Sequence, residues 1–110
     1  MAEVFKNASK VSVSNSSADT IYTAPSSTTS IVLGVAIANK TSNTVALTLS
    51  FTDSSASTTT QMIPAVQIPG NTTMEVLAGQ KYILETGDSL KALADTATAI
   101  DITMGVLELS

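Results

Sequence analysis

The segment from residue 31 to residue 51 has the clearest alternation of apolar and polar positions in the chain. Side chains of a β-strand point to opposite faces in turn, so apolar residues at every second position share one face. The segment therefore predicts two strands, each with one buried face. The large apolar residues at alternate positions are Ile31, Leu33, Val35, Ile37, Val45, Leu47, Leu49 and Phe51.

The polar run 39–43 between these two strands is rich in residues that favour turns. It predicts a hairpin in which Ile37 lies opposite Val45. In that register Ile31 lies opposite Phe51, and all the large apolar side chains of both strands share one face.

The rest of the chain divides into shorter segments of the same kind, separated by turn residues. Pro64 predicts an edge strand or a bulge, because proline cannot donate a hydrogen bond to a ladder. Segment 89–98 fits either a helix or a strand, and the β-rich surroundings favour a strand. A turn is predicted at 78–80. The other predicted strands are 10–14, 20–23, 58–68, 73–77, 81–85 and 100–109.

Two glycines mark irregularities in predicted strands. Apolar residues occupy even positions up to Val106, then odd positions at Leu107 and Leu109. A one-residue change of phase beside Gly105 predicts a β-bulge near 105–107. Gly34 marks a similar kink, or a place where another backbone comes close.

About eight short strands with frequent turns predict an all-β fold, an antiparallel two-sheet sandwich of the jelly-roll or immunoglobulin-like type. The 110 residues suit one domain. We expect residues 1–18 to form an N-terminal arm with a possible short strand, and residues 19–110 to form the sandwich.

The composition narrows the possible functions. The chain is 44% hydrophobic and 13% charged, and its net charge is −4. So few cations argue against nucleic acid as a partner, because phosphate contacts depend on lysine and arginine. The chain has no cysteine and no histidine, which removes disulfides, the usual zinc sites and imidazole chemistry. We predict no cofactor, no metal and no catalytic residue.

The acidic residues near predicted loops are the only candidates for a metal site in the sequence. Asp53, Asp88 and Asp95 could gather around a calcium ion, but their spacing lacks a calcium-loop motif. Solvated acids in turns are the favoured interpretation. No motif supports a serine nucleophile activated by a lysine.

The second face of the first central strand is also apolar. A strand that is apolar on both faces is covered on both. The cover here is either a neighbouring subunit or the chain's own loops. Tyr22 and Tyr82 are further interface candidates, or could form a sugar site. The candidate interface residues are Val32, Gly34, Ala36, Ala38, Tyr22 and Tyr82.

The N-terminus has no apolar run typical of a signal peptide, and no segment has the length of a membrane span. These features predict a protein made in a cytoplasm, without a cleaved export signal and without a membrane partner.

Several motifs in a fixed order are similar to those of small β-sandwich virion proteins of tailed bacteriophages, notably phages of marine bacteria and cyanobacteria. The resemblance covers most of residues 20–109. The motifs are Ile21–Pro25, Thr28–Gly34, Ala38–Asn39, Phe51–Asp53, Ile68–Gly70, Glu75–Ala92 and Val106–Leu109.

The resemblance implies a non-enzymatic structural component of the virion. Such domains serve as capsid decoration or cement proteins, often as trimers, that bind the major capsid protein or other virion proteins. Tail, neck and fibre components are the alternative, including a carbohydrate-binding module that contacts the host. The resemblance also implies that Asp88–Ala94 is a strand, and it transfers no catalytic residue.

Overall fold

Nine strands form two antiparallel sheets in the computed structural model, which describes residues 2–77 and 80–110. The prediction of an all-β two-sheet sandwich is confirmed. The strands are β1 (Glu3–Lys10), β2 (Asp19–Thr23), β3 (Thr29–Asn39), β4 (Val45–Asp53), β5 (Thr58–Ile68), β6 (Thr73–Glu75), β7 (Tyr82–Leu84), β8 (Ser89–Ala94) and β9 (Ile100–Leu109).

The order of the strands is that of a jelly roll. Sheet A has the order β1-β9-β3, and the short strands β6 and β7 pair with different parts of the outer edge of β3. Sheet B has the order β2-β8-β4-β5. The inner faces of the two sheets enclose one core, to which Ile37, Leu49 and Ile102 contribute fully buried side chains.

The predicted hairpin between β3 and β4 is wrong, because β3 belongs to sheet A and β4 to sheet B. Their apolar faces meet across the core instead of lying side by side. The polar run between them crosses from one sheet to the other around buried Asn39. The Asn39 side-chain amide donates to the carbonyls of Asn43 and Ile68 at 2.8 and 2.9 Å, and its oxygen accepts from the Thr41 amide.

The predicted single face of β3 is also wrong in its first half. Val32 is 1% exposed and faces the core, whereas Ile31 and Leu33 are half-buried. Val35 and Ile37 face the core as predicted. The phase changes because the pairing of β3 with β9 skips Leu33.

This bulge explains the two irregularities seen in the sequence. The bulge predicted in β9 near 105–107 lies instead on the neighbouring strand, opposite Gly105 and Val106. The kink predicted at Gly34 is confirmed. Strand β9 keeps its alternation to the end, so Glu108 faces inward while Leu107 is half-buried.

The outcomes for the remaining segments are mixed. The strand predicted at 10–14 is wrong, because β1 ends at Lys10 and pairs along its length with β9. The strand predicted at 20–23 is confirmed, and that predicted at 89–98 is confirmed as far as Ala94. Strand β5 is an edge strand with pairing irregularities, as Pro64 predicted. The turn predicted at 78–80 includes two residues outside the described part of the chain. The division of the chain at residue 18 stays a prediction.

Gly70 is required by the close approach of two loops. A Cβ atom at this position would lie 2.4 Å from the carbonyl carbon of Ser42. Gly34 differs, because its Cβ would come no closer than 3.6 Å to Glu75, an ordinary contact.

We therefore expect Gly70→Ala to lower the free energy of unfolding by about 1–3 kcal/mol, since the backbone must move to relieve the overlap. Gly34→Ala is the control and should not lower stability. Urea denaturation of both variants tests this, and equal stability of the two would contradict the loop contact.

Candidate docking surface

The structure separates the six candidate interface residues. Val32 lies in the core and does not share a face with the other three candidates on β3. Gly34, Ala36 and Ala38 are half-buried on the outer face of sheet A. The tyrosines lie elsewhere, on β2 of sheet B and on β7 at the edge of sheet A.

An apolar row crosses the outer face of sheet A from one edge to the other. Phe5 lies opposite Leu107, Leu107 opposite Ile31, and Ile31 opposite Ile83. Directly opposed residues of neighbouring strands share a face, so these four side chains form one continuous stripe, here called the apolar row. The two ends are the most exposed, with Phe5 at 73% and Ile83 at 53%.

A depression that we call the glycine notch lies one step along the strands from the apolar row. Gly34 and Gly105 are paired directly, so two neighbouring strands lack side chains at the same place. Asn7 and Leu33 border the resulting shallow recess of about 370 Å³. Sequence reasoning found Gly34 but missed the apolar row, because the bulge at Leu33 decides which residues reach this face.

Glu75 closes the outer edge of the notch. The Val35 amide donates to the Glu75 carboxylate at 3.2 Å, and the Leu77 amide donates to it at 2.8 Å. The carboxylate thus serves two backbone amides beside the short strand β6.

Tyr22 joins the two sheets through a polar cluster. Its hydroxyl donates to the Glu108 carboxylate and lies 2.7 Å from the Ser30 hydroxyl, and both partners are in sheet A. Lys6 Nζ approaches the other Glu108 oxygen at 3.2 Å. Burial and then the bond to Glu108 raise the pKa of Tyr22 to about 12, and the same bond lowers the pKa of Glu108. Tyr22 is therefore a structural tie between the sheets.

The three aspartates considered for calcium do not gather. Asp53 and Asp88 lie at one end of sheet B, and Asp95 lies at the other end of β8, about 20 Å away at the usual rise per residue. Within residues 2–77 and 80–110, no group of three potential ligands could hold a metal ion.

Asp88 instead holds three connections together. It is 3% exposed, and its carboxylate accepts hydrogen bonds from the amides of Ser54 and Glu85, both at 3.0 Å. Its carbonyl accepts from the Ala24 amide at 2.9 Å. Gly87 precedes it with a φ of 87°, a conformation that glycine adopts without strain.

A second apolar recess, of about 190 Å³, opens between the edge strands β5 and β7. Phe51 and Met62 line its sheet B side, and Tyr82 and Ile83 line its sheet A side. Tyr82 lies at the rim of this recess, because it is 36% exposed. Among the described residues its hydroxyl donates only to Gln80.

No known protein-family model matches the chain, and no curated protein matches its sequence. Comparison with solved structures finds a similar fold in Bacillus endospore appendages, which are described as a novel family of disulfide-linked pili. The TM-score is 0.57 at 11% sequence identity, over 98% of this chain and 88% of the other. The likeness shows the fold. In the described part of the chain, no helix has the length and apolar character needed to span a membrane.

Replacement of Tyr22 by phenylalanine tests the tie between the sheets. We expect the midpoint of thermal unfolding at pH 7 to fall by about 4 °C or more, because Glu108 and Ser30 lose a partner. The pKa of Glu108 is lower in the folded protein, so its contribution is complete above the usual value of 4.5 and is lost as pH falls through the folded pKa. The difference between the two proteins should therefore shrink below pH 4.5.

Tyr82→Phe is the matched control, because its hydroxyl contacts only exposed Gln80 among the described residues. It should leave the unfolding midpoint unchanged. A Tyr22→Phe protein as stable as the wild type at pH 7 would contradict the proposed tie.

Loss of the Asp88 carboxylate should leave two backbone amides without an acceptor. We expect Asp88→Ala to lower the free energy of unfolding by about 2–4 kcal/mol. The stability of Asp88→Asn should lie between those of the wild type and Asp88→Ala. Asp53→Ala should cost much less, since among the described residues the exposed Asp53 carboxylate bonds only within its own loop. Chemical denaturation measures all three, and equal losses for Asp88→Ala and Asp53→Ala would refute this role.

Proposed function

We propose that this protein is a non-enzymatic structural subunit of a large multi-copy assembly, and specifically a capsid decoration or cement protein of a tailed bacteriophage. The observation that carries the proposal is the apolar row, which crosses a whole sheet face that no other described part of the chain covers. Exposed apolar area of this kind marks a surface that binds another protein.

The resemblance of the motifs between residues 20 and 109 to phage virion proteins supports the specific role. Its partners would be copies of itself, with a trimer as the expected order, and the major capsid protein or other virion proteins. Its location would be the virion. The fold shared with a pilus-forming appendage protein is consistent with a structural subunit, although identity is too low to transfer a role.

The bonding of the acidic side chains also supports a structural role. Asp88 and Glu75 accept from backbone amides, as does Asp101, which also pairs with Lys40 at 2.9 Å. These carboxylates are engaged in holding strands and turns in place. They are poorly placed to act as the acid and base of an enzyme, which must face a substrate.

Assembly of this chain would not use disulfide bonds. The structural neighbour is described as disulfide-linked, whereas this sequence contains no cysteine. Many identical weak contacts would then supply the strength of the assembly, because linked binding events raise the overall affinity.

A tail, neck or fibre component that binds host carbohydrate is the second candidate. The recess beside Tyr82 favours it, because an exposed aromatic ring next to a depression can stack on a sugar. Tyr22 does not contribute, since its hydroxyl is bound to Glu108. A glycan array with the wild type and Tyr82→Ala tests this candidate, and absence of binding by the wild type would remove it.

Quantitative mass spectrometry of purified phage particles tests the main proposal. We expect the chain at a copy number on the order of hundreds per particle, as identical contacts over a shell require. A copy number of about a dozen or fewer would instead indicate a tail or neck component. Absence from the particles would overturn the phage assignment.

A further inference from the structure

We propose that two copies of this chain pair face to face through the outer surface of sheet A, with Phe5 of each copy seated in the glycine notch of the other. This contact would be one interface of the assembly proposed above. Only its biological role rests on that proposed function. It concerns the apolar row of Phe5, Leu107, Ile31 and Ile83 and the notch formed by Gly34 and Gly105.

The fold itself does not require glycine at either position of the notch. A Cβ atom at Gly34 would come no closer than 3.6 Å to Glu75, and one at Gly105 no closer than 3.8 Å to Asn7. Neither glycine has the positive φ that excludes other residues. Glycine inside a strand weakens it, and it often marks a place where another molecule approaches closely.

The notch has room for the side chain that stands beside it. A cavity of about 150 Å³ accepts a benzene ring. The recess at Gly34 and Gly105 measures about 370 Å³ and is open to solvent. Phe5 is 73% exposed on the neighbouring edge strand, so its ring is available to fill such a recess in a second copy.

The size of the face favours a second copy as the occupant. Four strands about 4.8 Å apart and a ten-residue strand at about 3.4 Å per residue give a face of about 650 Å². A stable interface buries about 800 Å² per partner. A flat surface of nearly this size needs another broad surface to cover it, and the same sheet of a second copy supplies one.

The charges favour the same occupant. Each copy carries a net charge of −4, so two copies repel one another where charged surfaces meet. The apolar row and the notch borders Asn7 and Leu33 are uncharged. Among the residues that line the notch only Glu75 carries a charge, and its carboxylate is held at the outer edge by the amides of Val35 and Leu77. The apolar centre of the face can therefore be buried against a second copy while the acidic groups stay at its edge.

The geometry also sets the symmetry. Phe5 and the notch lie on the same face of one sheet, on strands β1, β9 and β3. Two copies can each donate a ring and accept one only if their faces oppose one another about a two-fold axis, which is an isologous contact. A ring of three needs two differently oriented surfaces, so this contact would join two monomers or link one trimer to another.

Sedimentation velocity of the full-length chain over a dilution series tests the pairing. We expect an even number of copies in the wild type, a dimer or a hexamer. Phe5→Asp should raise the dissociation constant of the pair by about 30-fold or more, as removal of an interface anchor does. Gly105→Leu should have the same effect by filling the notch.

Thr59→Asp and Thr52→Leu are the matched controls, because both place the same new side chains on the outer surface of sheet B. They should leave the dissociation constant unchanged, and circular dichroism with thermal unfolding checks that every variant folds. A wild type that is monomeric or odd-numbered overturns the pairing, as does an unchanged constant in folded Phe5→Asp or Gly105→Leu protein.

The copy number in phage particles is measured independently and separates the two proposals. A chain absent from particles that still pairs through this face would overturn only the phage assignment. A chain abundant in particles whose folded Phe5→Asp variant sediments like the wild type would overturn only the pairing.

Discussion

The bulge at Leu33 is the constraint on which both surfaces of sheet A depend. Val32 and Val35 are three positions apart, so a regular strand would turn one of them away from the core. The pairing with β9 skips Leu33, and both valines become buried. The same step places Leu33 and Gly34 on the outside, beside Gly105, and so creates the notch.

The sequence predicts the parts of this fold that depend on local alternation. Strands such as β9 follow directly from period-two patterning, and Pro64 correctly indicates an edge strand. The pairing of strands is not a local property. Two strands with apolar faces can lie side by side or face one another across a core, and the pattern from Ile31 to Phe51 is the same in both arrangements.

The candidate surface shows the same limit. The doubly apolar character of β3 is readable from the sequence, which leaves open whether a neighbouring subunit or the chain's own loops cover the second face. The residues that lie on this face cannot be read from the sequence. The bulge at Leu33 places Val32 in the core and Ile31 on the outer face, and its only sign in the sequence is Gly34. The contributions of Phe5 and Ile83 depend on long-range register with β9 and β3, which no short window contains.

Glu75 has a consequence for the solubility of the isolated chain. Strands β6 and β7 cover separate parts of the outer edge of β3, and between them the Glu75 carboxylate occupies the Val35 amide. A continuous row of free amides is the template on which a foreign strand adds and amyloid grows. Where the carboxylate binds, β3 offers no such template, so the part of its edge between β6 and β7 is closed to a foreign strand although the outer surface of sheet A is apolar.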